Sequence, residues 1–122
     1  MNGDVIRLQF PARPDYILAV RLAVSAVAER VGFDIEDIED LKVASAEACT
    51  LLLSAGARQI DISLTVQSGL ELLFEAQGST QKTSQDSDGL SQYLLDALVD
   101  SCEINTEDGA AKSVRLIKTL LL

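Results

Sequence analysis

The sequence predicts an α+β fold, a two-layer sandwich in which three helices cover one face of a mixed, mostly antiparallel sheet. Three observations carry that prediction. Ile60, Ile62, Leu64 and Val66 alternate with Asp61, Ser63 and Thr65, the period of two of a half-buried strand. Ile17, Val20, Val24, Val27 and Val31 instead recur at helical spacing, as do Ile35, Ile38, Leu41, Ala44, Ala48 and Leu52. The order of the segments is strand, two helices, hairpin, helix, hairpin, and such an order layers helices on an antiparallel sheet.

Taken in turn, Ile6, Leu8 and Phe10 alternate within residues 5–10, and Pro11 and Pro14 end that first strand. Helix 1 spans residues 14–31, with the Asp15 carboxylate near its start and Gly32 as its stop. Asp34 caps helix 2, whose acidic run from Asp34 to Asp40 favours the positive end of the helix dipole and reads as a solvated helix start. Ala55 and Gly56 break that helix. The strand over residues 60–66 turns at Gln67, Ser68 and Gly69 into a second strand over residues 70–75. Residues 78–88 are polar and small, a loop with serines at Ser84 and Ser87 that are open to modification. Leu90, Leu94, Leu95, Leu98 and Val99 mark helix 3, ending near Ser101. Strands over 103–105 and 113–121 are joined through Asp108-Gly109, a turn dipeptide, and the apolar tail suggests a covered edge or a subunit contact.

The chain of 122 residues is the size of one domain, here 1–122. Its 19 acidic and 10 basic residues leave a formal charge of -9, which repels polyanions, so neither nucleic acid nor an acidic membrane is expected as a partner. No apolar run reaches the roughly 20 residues of a membrane span and no signal peptide opens the chain, so a cytoplasmic protein is expected. Cys49 and Cys102 lack metal-ligand spacing, and there is no histidine. Two reduced thiols are expected and no metal site.

The segments Val20 to Glu29, Asp37 to Lys42 and Ala46 to Thr50 resemble bacterial anti-sigma-factor serine kinases of the histidine-kinase-like ATPase (GHKL) superfamily. The resemblance spans nearly the whole chain and implies that superfamily's fold. It also implies Glu-x-x-x-Asn on helix 2, a pair one turn apart on one face. The glutamate would act as base on a serine hydroxyl, and the asparagine oxygen would bind the magnesium of ATP. Glu47 matches the first position, while Leu51 stands at the second and has no oxygen for a hard cation.

The family's Asp-x-Gly adenine motif corresponds to Ala76-Gln77-Gly78, which keeps the glycine and lacks the carboxylate. Its Gly-x-Gly at the third helix corresponds to Gly89-Leu90-Ser91, where a side chain at Ser91 crowds the phosphate approach. The stretch between Gly78 and Gly89 is shorter than the family's ATP lid, leaving Gln81, Lys82 and Thr83 for polar contacts. Gly78 and Gly89 are thus remnants of a cofactor site, and Glu47 is a vestigial or weak base. Its plainer reading is a partly exposed helix glutamate near Val43 or Thr50.

Arg21 lies where the resembling kinases use an arginine against the sigma factor and the antagonist protein, and its planar fork suits carboxylates. Arg13 and Tyr16 are candidate neighbours in that surface; the plainer reading of Arg21 is a surface ion pair within the chain. The implied function is an anti-sigma-factor-like regulator that binds a sigma factor or antagonist protein, having lost ATP binding and kinase activity, so no cofactor is expected. The alternative is an active protein serine kinase using ATP and magnesium with Glu47 as base. Pairing with itself or with a related kinase is a third reading, since the family dimerises.

Overall fold

The computed structural model describes residues 3–78 and 89–121 of the chain. Its elements are β1 (Val5–Pro11), a single 3-10 turn (Pro14–Tyr16), α1 (Ile17–Val31), α2 (Ile35–Ser54), β2 (Gln59–Val66), β3 (Gly69–Gln77), α3 (Leu90–Leu98), β4 (Ser101–Glu107) and β5 (Ala110–Thr119). The strands form one sheet in the order β1-β2-β3-β5-β4. Every described pairing is antiparallel, so the sheet expected to be mixed is not mixed among the described residues.

The helices sit on one face and share a core with it. Val20, Val24 and Ala28 of α1 and Leu41, Ala44, Ala48 and Leu52 of α2 meet Ile62, Leu64, Leu72, Phe74, Val114 and Leu116 of the sheet in one apolar cluster. The opposite sheet face is mostly polar, with Val5, Leu73 and Ile117 as apolar exceptions. There Asp61 accepts hydrogen bonds from Gln9, Gln59 and Gln77, and Arg115 pairs with Glu71 at 2.8 Å. A one-sided sheet of this kind needs strict alternation, and β2 shows it residue by residue.

Local chemistry sets the ends. Asp34 caps α2 by accepting from the Asp37 N–H at 2.8 Å. Gly32 closes α1 in the left-handed region at φ 112°, with Phe33 N–H reaching back to Ala28 O. Asp108 and Gly109, at φ 54° and 80°, make the tight turn between β4 and β5, whose primed geometry requires positive φ at both residues.

The departures from expectation have physical causes. Helix 1 begins as a 3-10 turn in which Pro14 takes the first position and Asp15 makes no capping bond, so α1 proper starts at Ile17. Helix 3 ends at Leu98 rather than near Ser101. Val99 turns extended, and the Asp100 N–H bonds Ile117 O in the sheet. Strand β4 therefore starts earlier, at Ser101. Ile35, expected in the inward stripe of α2, is 79% exposed. Of the apolar C-terminal stretch, Leu116 and Ile117 belong to β5, which is not an edge but lies between β3 and β4, while Leu121 beyond it is exposed.

Three polar side chains lie buried among the described residues, Ser45, Ser91 and Lys118. Lys118 sits on the helix side of β5. Its Nζ donates to Leu98 O at 2.7 Å and lies 3.4 Å from both Asp37 Oδ1 and Asp40 Oδ2. One ammonium thus donates to Leu98 O and Asp40, pairs with Asp37, caps the last turn of α3 and holds the first turns of α2. Ser45 Oγ, fully buried on α2, has no partner among the described residues.

Two predictions follow from these buried groups. Lys118→Ala should cost about 2–3 kcal/mol in a urea melt, because it strips a charged donor from a carbonyl and two carboxylates. Ser45→Ala should stabilise by about 1 kcal/mol, because it removes an unpaired buried hydroxyl. A loss of stability on that second change would mean that the hydroxyl has a bonded partner.

Candidate functional site

The site is built where the middle of α2 meets the start of α3. Glu47 sits on α2, half-buried, flanked by Ala44, Ala48 and Cys49 in the core. Gly89 precedes α3 at φ 76°, and a Cβ there would meet nothing within 4 Å, so backbone conformation and not space favours glycine. Two residues later Ser91 falls on the inner face of α3 with Leu95 and Leu98. Its Oγ donates to Glu47 Oε2 at 2.8 Å.

This contact decides the chemistry of the carboxylate. The hydroxyl-to-carboxylate bond is short, and it comes from the same chain. Leu51, one turn along α2, is half-buried and packed against the apolar cluster. It brings no polar atom to Glu47. Ala76, on β3 opposite Ile60, is buried and equally apolar. Gly78 lies at φ 95°, and a Cβ on it would stand 3.0 Å from the Arg58 side chain, so Arg58 fills the space beside it. Among the described residues no group of three or more carboxylates or cysteines is placed to hold a metal.

The remaining candidates lie apart from this pair. Arg13 and Tyr16 are exposed at the entry to α1, where Arg13 O accepts from Tyr16 N–H and the guanidinium stands 4.0 Å from Asp15. Arg21 is half-buried five residues after Tyr16, an offset of about 140° around a helix axis. Its Nε is buried and has no hydrogen-bond partner among the described residues. Gln81, Lys82, Thr83, Ser84, Ser87 and the lid they belong to lie outside the described residues.

The thiols take no part. Burial pushes the Cys49 thiol up to about 12. Cys102 is raised to about 11 by burial and by the nearby Asp96 charge, against a Gln92 hydrogen bond that lowers it. Neither is a thiolate nucleophile near neutral pH. No helix is long and apolar enough to cross a membrane among the described residues.

The family model of the histidine kinase-like ATPase domain matches residues 10–118. The chain belongs to the histidine kinase-like ATPase family. Among its relatives, the serine-protein kinase RsbW of Bacillus subtilis (strain 168) is 29% identical over 131 residues, covering 88% of this chain and 82% of that protein. The serine-protein kinase RsbW of Oceanobacillus iheyensis is 30% identical, covering 88% and 83%. A similar fold occurs in the crystal structure of the RsbU and RsbW domains of Rv1364c from Mycobacterium tuberculosis. That likeness has a TM-score of 0.71 at 15% identity and covers 95% of this chain and 32% of that one.

Within this histidine kinase-like ATPase, sequence reasoning found Glu47 and Ser91 separately and missed that they bond. Ser91 was expected only to crowd a phosphate approach. The available signal was its spacing, because Ser91, Leu95 and Leu98 share one face, and a polar residue on a buried stripe needs a partner. Ser91→Ala should cost roughly 1–2 kcal/mol by removing the donor to a half-buried carboxylate. Glu47→Gln, which keeps an acceptor oxygen, should cost less. Equal losses, or none, in chemical denaturation would show that the bond does not hold α3 to α2.

Proposed function

We propose that this chain is an anti-sigma-type regulatory protein that acts by binding a partner protein, a sigma factor or an antagonist of the anti-sigma factor, without phosphoryl transfer. The observation that carries the reading is the occupied carboxylate: Ser91 Oγ on Glu47, with the apolar Leu51 one turn away. A base for phosphoryl transfer must reach the substrate hydroxyl, and here its oxygen is already engaged within the chain. Leu51 provides no ligand for magnesium, Ala76 no acceptor for an adenine amino group, and Arg58 crowds Gly78. These side chains do not fit magnesium ATP. Partner recognition instead falls to the start of α1, where the half-buried Arg21 and the exposed Arg13 and Tyr16 suit acidic side chains.

A second reading is favoured by the relatives, which are named serine-protein kinases, and by the retention of Glu47. In it, a substrate serine displaces Ser91 from Glu47, and Glu47 takes the proton of the incoming hydroxyl. The relatives favour this kinase reading more than the partner-binding one; the side chains around Glu47 favour the first.

Calorimetric titration with magnesium ATP and ADP separates them. The expected result is no binding up to about millimolar nucleotide, while association with a sigma-type or antagonist-type partner is unchanged by nucleotide and weakened about tenfold or more in Arg21→Ala. Micromolar nucleotide binding, with phosphate transfer to a partner serine that vanishes in Glu47→Ala, would establish the kinase.

A further inference from the structure

The two edges of the sheet differ. β4 carries an irregularity in its register between Asn105 and Thr106, the kind of bulge that turns an edge away from further pairing. β1 runs straight against β2 for seven residues without one. Its main chain shows which groups are free. The Val66 N–H bonds Asp4 O at 2.9 Å and the Ala12 N–H bonds Arg58 O at 2.9 Å, so the residues flanking β1 at both ends lie in hydrogen-bonded pairs with the β2 side. Such pairs alternate along an antiparallel ladder, which puts Ile6, Leu8 and Phe10 in the same set. Val5, Arg7 and Gln9 then direct their N–H and C=O groups to the open side, where no described residue bonds them. Pro11 ends the row, having no N–H and a carbonyl that accepts from Arg13.

We propose that this edge takes an extended segment of a partner protein as a further strand, with a carboxylate at its centre and apolar residues on either side of it. The main chain selects the conformation. A row of N–H and C=O groups at two-residue spacing is matched by a strand, whereas a helix has already used its own backbone groups internally. The two faces select the side chains. Ile6, Leu8 and Phe10 are half-buried against the core, so the residues beside them on an added strand extend that apolar layer. Arg7 projects from the polar face opposite Ser63 and has no ion pair among the described residues. A carboxylate directly across from it makes the missing cross-strand pair. The same arginine opposes a second copy, because two β1 edges in full overlap would set Arg7 against Arg7.

Strand addition here goes beyond recognition at α1 and uses a different surface. Arg7 faces the polar side of the sheet, and α1 packs on the other.

The test is a fluorescence-polarisation titration of the full chain with a labelled peptide of about nine residues, threonine and valine in alternation with glutamate at the centre. N-methylation of its valines blocks the edge turned away from β1 and keeps the peptide from forming fibres. N-methylation of the glutamate and its two nearest threonines instead blocks the edge turned towards β1. The valine-methylated peptide is expected to bind, about tenfold or more tightly than that counterpart and severalfold more tightly than the same peptide with lysine at its centre. Arg7→Glu, at an exposed position, should reverse the preference for glutamate over lysine. Gln9→Pro removes one outward N–H and no main-chain bond to β2, and it should weaken binding while keeping that preference.

Equal binding by the two methylated forms would overturn the proposal, as would no binding by either or an unchanged preference in Arg7→Glu. Self-association by light scattering that Gln9→Pro abolishes would also overturn it, giving the edge to a second copy. No nucleotide and no sigma-type partner enters the titration, so failure here and failure of the partner-binding reading are separate results.

Discussion

The placement of α3 depends on two buried polar bonds. At nine residues it is too short to be stable by itself in water, where a costly nucleus must be offset by many propagated bonds. The inner apolar face contributes Leu95 and part of Leu98 to the core. Apolar contact alone would leave the helix free to slide, because hydrophobic burial is not directional. Ser91 on Glu47 fixes one end and Lys118 on Leu98 O fixes the other. Both bonds lead back to α2, the second through Asp37 and Asp40. α2 is thus the beam to which the start of α3 and the sheet strand β5 are fastened, and the position of the site follows from it.

This dependence explains what the sequence disclosed and what it hid. The strands and long helices were legible because their signals are periodic and local: β2 alternates, Asp34 caps, Gly32 and Asp108-Gly109 turn where only such residues turn easily. The end of α3 was not legible, since Leu98 and Val99 continue the apolar pattern while a sheet bond from the Asp100 N–H pulls the chain away. Ile35 misled because each step of three residues drifts about 60° around a helix, so it lies about 120° from Leu41 and outside the buried stripe. Lys118 shares the inward parity of Val114 and Leu116, and the nearness of Asp37, Asp40 and Leu98 O explains how a charge is held there. The site was half legible: the residues at 47, 51, 76 and 91 could be named one by one, while their contacts depend on α2 meeting α3, a non-local fact.

Under the partner-binding reading, the substitutions in the nucleotide region form one consistent set. A buried amide or carboxylate is tolerable when a ligand bonds it and costly when nothing does. A chain that binds no nucleotide would leave an asparagine at 51 or an aspartate at 76 without its partner. Leucine and alanine remove that cost and add apolar contact, and Leu51 does pack on the core.

Glu47 is polar and half-buried, and Ser91 is what makes it tolerable there. A glycine at 91 would leave the half-buried carboxylate with solvent alone on that side, while serine supplies a hydroxyl at 2.8 Å. The two positions therefore depend on each other. The same bond that engages the carboxylate orients α3 on α2. Under the partner-binding reading, a fold can exchange a nucleotide site for a protein site without moving any of its main elements.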